Sequence, residues 1–154
     1  MTDTFRITRS TIVDAPPTAV LPYLVDFHQW VHWSPWEGVD PDMTRDYSGA
    51  ESGVGAKYAW SGNKKAGRGA MKITRVDEPR EVEVHLAFEK PMKATNTVTF
   101  ELAPEGQATR VSWTMVGAQT LFSRVAGFFG IFDKMLGKDF EKGLAQLKAV
   151  SESR

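Results

Sequence analysis

The chain has 154 residues, 42% of them hydrophobic, with 19 basic against 19 acidic side chains and no cysteine. That balance gives no reason to expect a nucleic-acid backbone as a partner, and the missing thiols exclude disulfides, thiolate metal sites and a cysteine nucleophile. The length has room for one domain with a sizeable core, spanning 1–154, and none for a second.

The start, MTDTFRITRS, lacks an apolar leader segment. The longest near-apolar run, Val125 to Phe132, is far short of the ~20 residues a membrane span needs. The expectation is a soluble, cytoplasmic protein without stable membrane insertion.

Phe5 to Val13 is rich in β-branched residues and stops at Asp14-Ala-Pro-Pro, which reads as a strand followed by a helix start. Ala19 to Phe27 then predicts one or two short helices, with a break or second start at Pro22. Pro35 and Gly38 close the helical part, and Val39 to Gly55 reads as loop around a short strand at Thr44 to Tyr47.

From Ala56 the apolar period changes to two, the spacing of a half-buried sheet. The inward set begins with Tyr58 and Trp60, then Met71 and Ile73, then Val82, Val84, Leu86 and Phe88. It continues with Ala94, Asn96, Val98, Phe100 and Leu102, and ends with Val111, Trp113 and Met115. Turn signals (Ser61-Gly-Asn, Asp77-Glu-Pro, Lys90-Pro, Pro104-Glu-Gly) join these strands as antiparallel neighbours. Thr120 to Val150 returns to helical spacing through Val125, Phe129, Phe132, Leu136, Phe140, Leu144 and Leu147, with a possible break at GFFG. The fold class is α+β: about seven curved antiparallel strands, two short N-terminal helices and one long C-terminal helix, the only large element able to cover the apolar sheet face.

Four stretches match a known family in register: IVDAPPTAVLPYLVDFHQWVHWSPWE, SGVGAKYAWSGNKKAGRGAMKI, ATRVSWTMVG and KDFEKGLAQLK. The sequence resembles the START and Bet v 1 type helix-grip superfamily, in its SRPBCC polyketide cyclase/dehydrase-like branch. The resemblance implies a cavity under the C-terminal helix that binds hydrophobic small molecules or lipids. A minority of members are cyclases or other enzymes, and the match carries no catalytic residue.

The densest cluster of reactive side chains is HQWVHWSPWEG. His28 and His32 have the i, i+4 spacing of a metal pair, but Pro35 ends the helix too soon and no HExxH accompanies them. Asp26, a histidine and Ser34 contain the ingredients of a triad, yet a triad converges from distant segments. No metal or cofactor is expected, the histidines read as bystanders, and at least two of Trp30, Trp33 and Trp36 read as anchors of a turn at the sheet edge. Gly49 to Gly55 and GNKKAGRG lack a phosphate-loop pattern and read as tight turns.

The candidate ligand-binding set is therefore Tyr58, Trp60, Met71, Ile73, Leu86, Phe88, Asn96, Phe100, Trp113, Met115, Phe132, Leu136 and Phe140. Asn96 is the polar member, because a buried amide needs a partner in protein, water or ligand. Arg75 shares parity with Ile73 but is expected to leave the sheet at its edge. Gly143 either leaves room for a ligand against the helix backbone or permits close packing on Trp113. The leading function is binding of a hydrophobic or amphipathic small molecule or lipid. The alternatives are a cyclase or dehydratase acting on a polyketide-like or aromatic substrate, and a chaperone-linked interaction module. His85, Glu83 and Glu101, the ordinary proton-transfer candidates, fall on the outward face.

Overall fold

The computed structural model describes residues 4–36, 40, 42–63, 66–90, 93–118 and 128–153. Strand β1 (Thr4–Val13) leads into helix α1 (Pro17–Val25) and a 3-10 helix (Phe27–His32). Six strands follow: β2 (Thr44–Gly49), β3 (Ala56–Ser61), β4 (Arg68–Asp77), β5 (Glu81–Lys90), β6 (Ala94–Glu105) and β7 (Ala108–Ala118). Helix α2 (Phe128–Glu152) closes the chain. All neighbouring strands are antiparallel in the order β1-β7-β6-β5-β4-β3-β2, so β1 and β2 are the edges.

The N-terminal helices follow the sequence signals with one correction. Pro17 starts α1 as expected, but α1 is not broken at Pro22, which lies inside it. Pro22 is exposed and removes a single backbone donor, while buried Val20, Leu21 and Leu24 hold the helix to the core. The break comes at Asp26, whose extended backbone ends α1 and whose side chain accepts from the His28 N–H at 2.9 Å, starting the 3-10 helix.

Helix α2 lies along β1. Gly137 faces Arg9, Lys148 Nζ donates to the Ile12 carbonyl at 2.9 Å, and Glu152 accepts from the Asp14 N–H at 2.7 Å. The helix thus runs in the direction of β1, and its first turns lie toward the Phe5 end of that strand. The expected helix from Thr120 is described only from Phe128; its start and Gly127 fall outside the described residues, as does Phe132 among side chains.

One bulge changes a face assignment. Ile73 pairs with Val84 and Arg75 with Glu83, so Thr74 is an extra residue and parity inverts beyond it. Arg75 is turned outward into an ion pair with Glu81, although its strand continues to Asp77 rather than ending at an edge.

Candidate ligand-binding site

Cross-strand register arranges the inner sheet face in rows. The lowest of these runs Val82, Phe100, Trp113, and the next Ile73, Val84, Val98, Met115, Ile7. A third crosses all seven strands through Tyr47, Tyr58, Met71, Leu86, Asn96, Gly117 and Phe5. A fourth is Arg45, Trp60, Gly69, Phe88 and Ala94.

The lowest row is filled by the 3-10 helix. Trp33 meets Phe100 and Trp113 edge-on at ring separations of 5.8 and 5.5 Å, and Trp30 meets Phe100 at 5.8 Å. Phe140 of α2 stacks on Trp113 at 4.1 Å, and Trp36 caps both at the rim. The indole N–H of Trp30 donates to the Leu24 carbonyl at 3.1 Å and that of Trp33 to the Tyr23 carbonyl at 2.8 Å. Those carbonyls belong to the last turn of α1, which has no helical donors of its own, so the two indoles cap one helix while their rings fill the core. Gln146 Nε2 ties Trp33 to α2 through its carbonyl at 2.7 Å.

This corrects the placement of the tryptophans. Trp30 and Trp33 are structural, but they enter the grip between sheet and helix instead of anchoring its edge. Phe100, Trp113 and Phe140 are consequently packed against other rings, at 0%, 1% and 0% exposure, and Ile73 is equally buried. Gly143 gives the packing outcome: a Cβ there would lie 2.8 Å from both Pro35 Cδ and Trp113 Cζ3, so the space is occupied.

The upper two rows differ. Trp60, Met71 and Phe88 are half-buried, as is Leu136 on the facing helix, while Tyr58, Leu86 and Met115 are buried beside them. Trp60 lies flat across Gly69, where a Cβ would come within 2.6 Å of its ring, and its N–H donates to the Ala66 carbonyl at 2.9 Å. It stacks on Tyr58 and meets Phe88 edge-on. Asn96 is 7% exposed, its amide folded over Gly117 where a side chain would collide with it; it forms no hydrogen bond with another described residue.

Two surface depressions lie elsewhere. One of about 430 Å³ is formed by α1 and the β4–β5 turn, with Leu21, Pro22, Val25 and Pro79 in its wall. Another of about 240 Å³ lies between the 3-10 helix and β2, beside His28 and Tyr47. The larger offers apolar edges with few converging polar groups, so the inner face is the stronger candidate. His28 stacks on Tyr47 at 4.1 Å and its Nδ1 meets Asp26 Oδ1 at 2.8 Å; His32 is exposed, and no metal-binding cluster occurs among the described residues.

Sequence reasoning missed Arg45. Its alternation with Tyr47 on β2 was the available signal: Thr44 and Asp46 are exposed, whereas Arg45 and Tyr47 are half-buried and oppose Trp60 and Tyr58.

A curved seven-stranded antiparallel sheet closed on one long C-terminal helix, with an apolar inner face between them, is a helix-grip domain. The chain belongs to the family described as polyketide cyclase / dehydrase and lipid transport, which it matches over residues 4–152. Similar solved structures include the Aha1 dimer from Colwellia psychrerythraea (18% identity, TM-score 0.67, 96% of each chain). Ara h 8.0201 is similar at 9% identity and TM-score 0.68, over 99% of this chain and 100% of that one. DynU16, a protein of the dynemicin biosynthetic locus, is similar at 14% identity and TM-score 0.62, over 94% of this chain and 46% of that one. No curated protein sequence matches. Among the described residues, no helix is long and apolar enough to cross a membrane.

Proposed function

We propose that the chain binds a hydrophobic or amphipathic small molecule, a lipid or an aromatic metabolite, on the upper rows of the sheet beneath the first half of α2. The observation that carries this reading is the half-buried set Trp60, Met71, Phe88 and Leu136, facing the interior beyond the reach of Trp30 and Trp33. Such side chains supply apolar area, and Asn96 supplies orientation. Leu86, Met115 and Tyr58 complete the bed. The proposal sets this role in the cytoplasm, in keeping with a chain free of cysteine.

The test is titration with a library of lipids and aromatic compounds, following tryptophan fluorescence and melting temperature. A ligand at a hundredfold its Kd is expected to stabilise the fold by about 2.7 kcal/mol. Leu86→Trp, which fills the bed, is expected to abolish binding while the protein still folds. No shift with any member would overturn the reading.

A second reading, a cyclase or dehydratase, has one observation in its favour. Asp26 holds the exposed His28 by Nδ1 beside the surface depression between the 3-10 helix and β2, which leaves Nε2 for proton transfer there. Turnover of a polyketide-like substrate that vanishes in His28→Asn, with binding retained, would put this reading first.

A further inference from the structure

We propose that the outer face of the sheet, on the side away from α2, is a docking strip for a short acidic segment of a partner protein in extended conformation. Two adjacent rows of the strand register define it. Lys57, Lys72 and His85 stand directly opposite one another across β3, β4 and β5, and all three are exposed. Among the described residues none of the three side chains enters an ion pair. Two positions along the same strands, Ala59, Ala70 and Ala87 make the neighbouring row, Ala70 exposed and the others half-buried.

Like charges directly opposite on one sheet face destabilise the pair. Setting Lys57 against Lys72 therefore costs the free protein stability, and carboxylates lying along the row, accepting from the ammonium groups, relieve that cost. The alanines beside them reach no further than a methyl group, so the bases rise over a shallow apolar floor. Lys90 and Arg68 border that floor on its far side, Arg68 being already paired with Glu89. Thr95 and Thr97 continue the two rows on β6. From β3 to β6 there are three strand spacings, about 14 Å, the length of roughly four extended residues.

The surroundings of the strip select its occupant. Beyond the basic row, Glu83 and then Asp77, Glu81 and Glu101 take outward positions, with Arg75 held by Glu81, and Asp46 closes the alanine row at β2. This acidic border repels a broad anionic surface such as a bilayer or a duplex and leaves room for a single chain. Neither row contains an aromatic residue on which a base could stack, so an acidic peptide fits better than a single-stranded nucleic acid.

The experiment is fluorescence anisotropy of labelled hexaglutamate, with labelled hexalysine and hexathymidylate beside it and co-sedimentation with phosphatidylserine vesicles. The wild type is expected to bind hexaglutamate in preference to the other three, and less tightly as salt is added. Lys57→Gln combined with Lys72→Gln is expected to weaken binding about tenfold, as the loss of two surface ion pairs implies. Lys138→Gln combined with Lys142→Gln, which removes two equally exposed lysines of α2, is expected to leave it unchanged. Ala70→Glu, which sets an anion on the floor, is expected to weaken it as well. No binding of hexaglutamate, an equal loss in the α2 variant, or tighter binding of the thymidylate or the vesicles would overturn the proposal.

Discussion

The two halves of the inner sheet face are built from the same residue types and end in different states. Around Phe100 and Trp113, rings from three segments meet, Trp33 edge to face and Phe140 stacked, until Phe100, Trp113 and Phe140 are all but fully buried. Around Trp60 and Phe88, the rings pack sideways along the sheet and remain half-buried. An aromatic residue on an inward strand position thus does not by itself line a site. What decides is which side chains another element brings into the space. The 3-10 helix sets Trp30 and Trp33 on Phe100, and Trp33 on Trp113, while on the upper rows it touches Tyr58 through Phe27 and Tyr47 through His28.

The sharpest way to break this contrast is to remove the plug. Trp33→Ala deletes a ring that is 1% exposed, touches Phe100, Trp113 and Trp30, and caps α1. A loss of about 3–5 kcal/mol is expected from urea or thermal unfolding. Trp60→Ala is expected to cost clearly less in the same measurement while weakening ligand binding more. Equal losses for the two variants would erase the distinction between the halves. Gly143→Ala comes next. Its methyl would collide with Pro35 and Trp113, so an overpacking cost of about 1–3 kcal/mol is expected to exceed the helix-propensity gain of about 1 kcal/mol. A net stabilisation would mean that the α2 contact is loose.

Asn96 sharpens the comparison from the other side. Asn96 is 7% exposed and its amide folds over Gly117, so an apolar group of similar shape takes a polar group out of a largely buried position. Asn96→Leu is expected to stay within about 1 kcal/mol of the wild type in stability. A loss of several kcal/mol would show that the amide is held by the protein and is not available to a ligand.

Much of the fold was legible because its signals are local. Alternation in EVEVHLAFE and ATNTVTFEL sets strands and faces, and the spacing from Leu136 to Leu147 sets the helical stripe. The candidate site was legible only as a face. The inward side chains named from the sequence do lie on that face, but the parity rule treats Trp113 and Trp60 alike, and the difference between them is made by Trp33, eighty positions from Trp113 in the chain. Arg75 shows a second limit: one extra residue at Thr74 reverses parity, and nothing in the local composition announces it. Arg45 lay within reach, since Tyr47 two positions away fixes the inward face of β2, but the short strand carries too few apolar residues to make the alternation stand out.

The smallest expected effect concerns the far end of α2, away from both halves. Glu152 is held below the ordinary carboxylate range, first by the side-chain hydrogen bond from Lys148 and then by the Asp14 N–H. Its folded-state pKa is thus lower than its unfolded one. The stabilisation it contributes is full above the unfolded value and is lost as pH falls through the folded one. Because the pair is at the surface, the contribution is modest and weakens with salt. Melting temperature followed from neutral to acid pH is expected to fall less steeply in Glu152→Gln than in the wild type, the difference lying on the acid side of the ordinary carboxylate range. Parallel curves would mean that the helix end is fixed by other contacts, such as Tyr23 to the Val150 carbonyl, and that the pairing of Glu152 with the end of β1 contributes nothing to how α2 is seated.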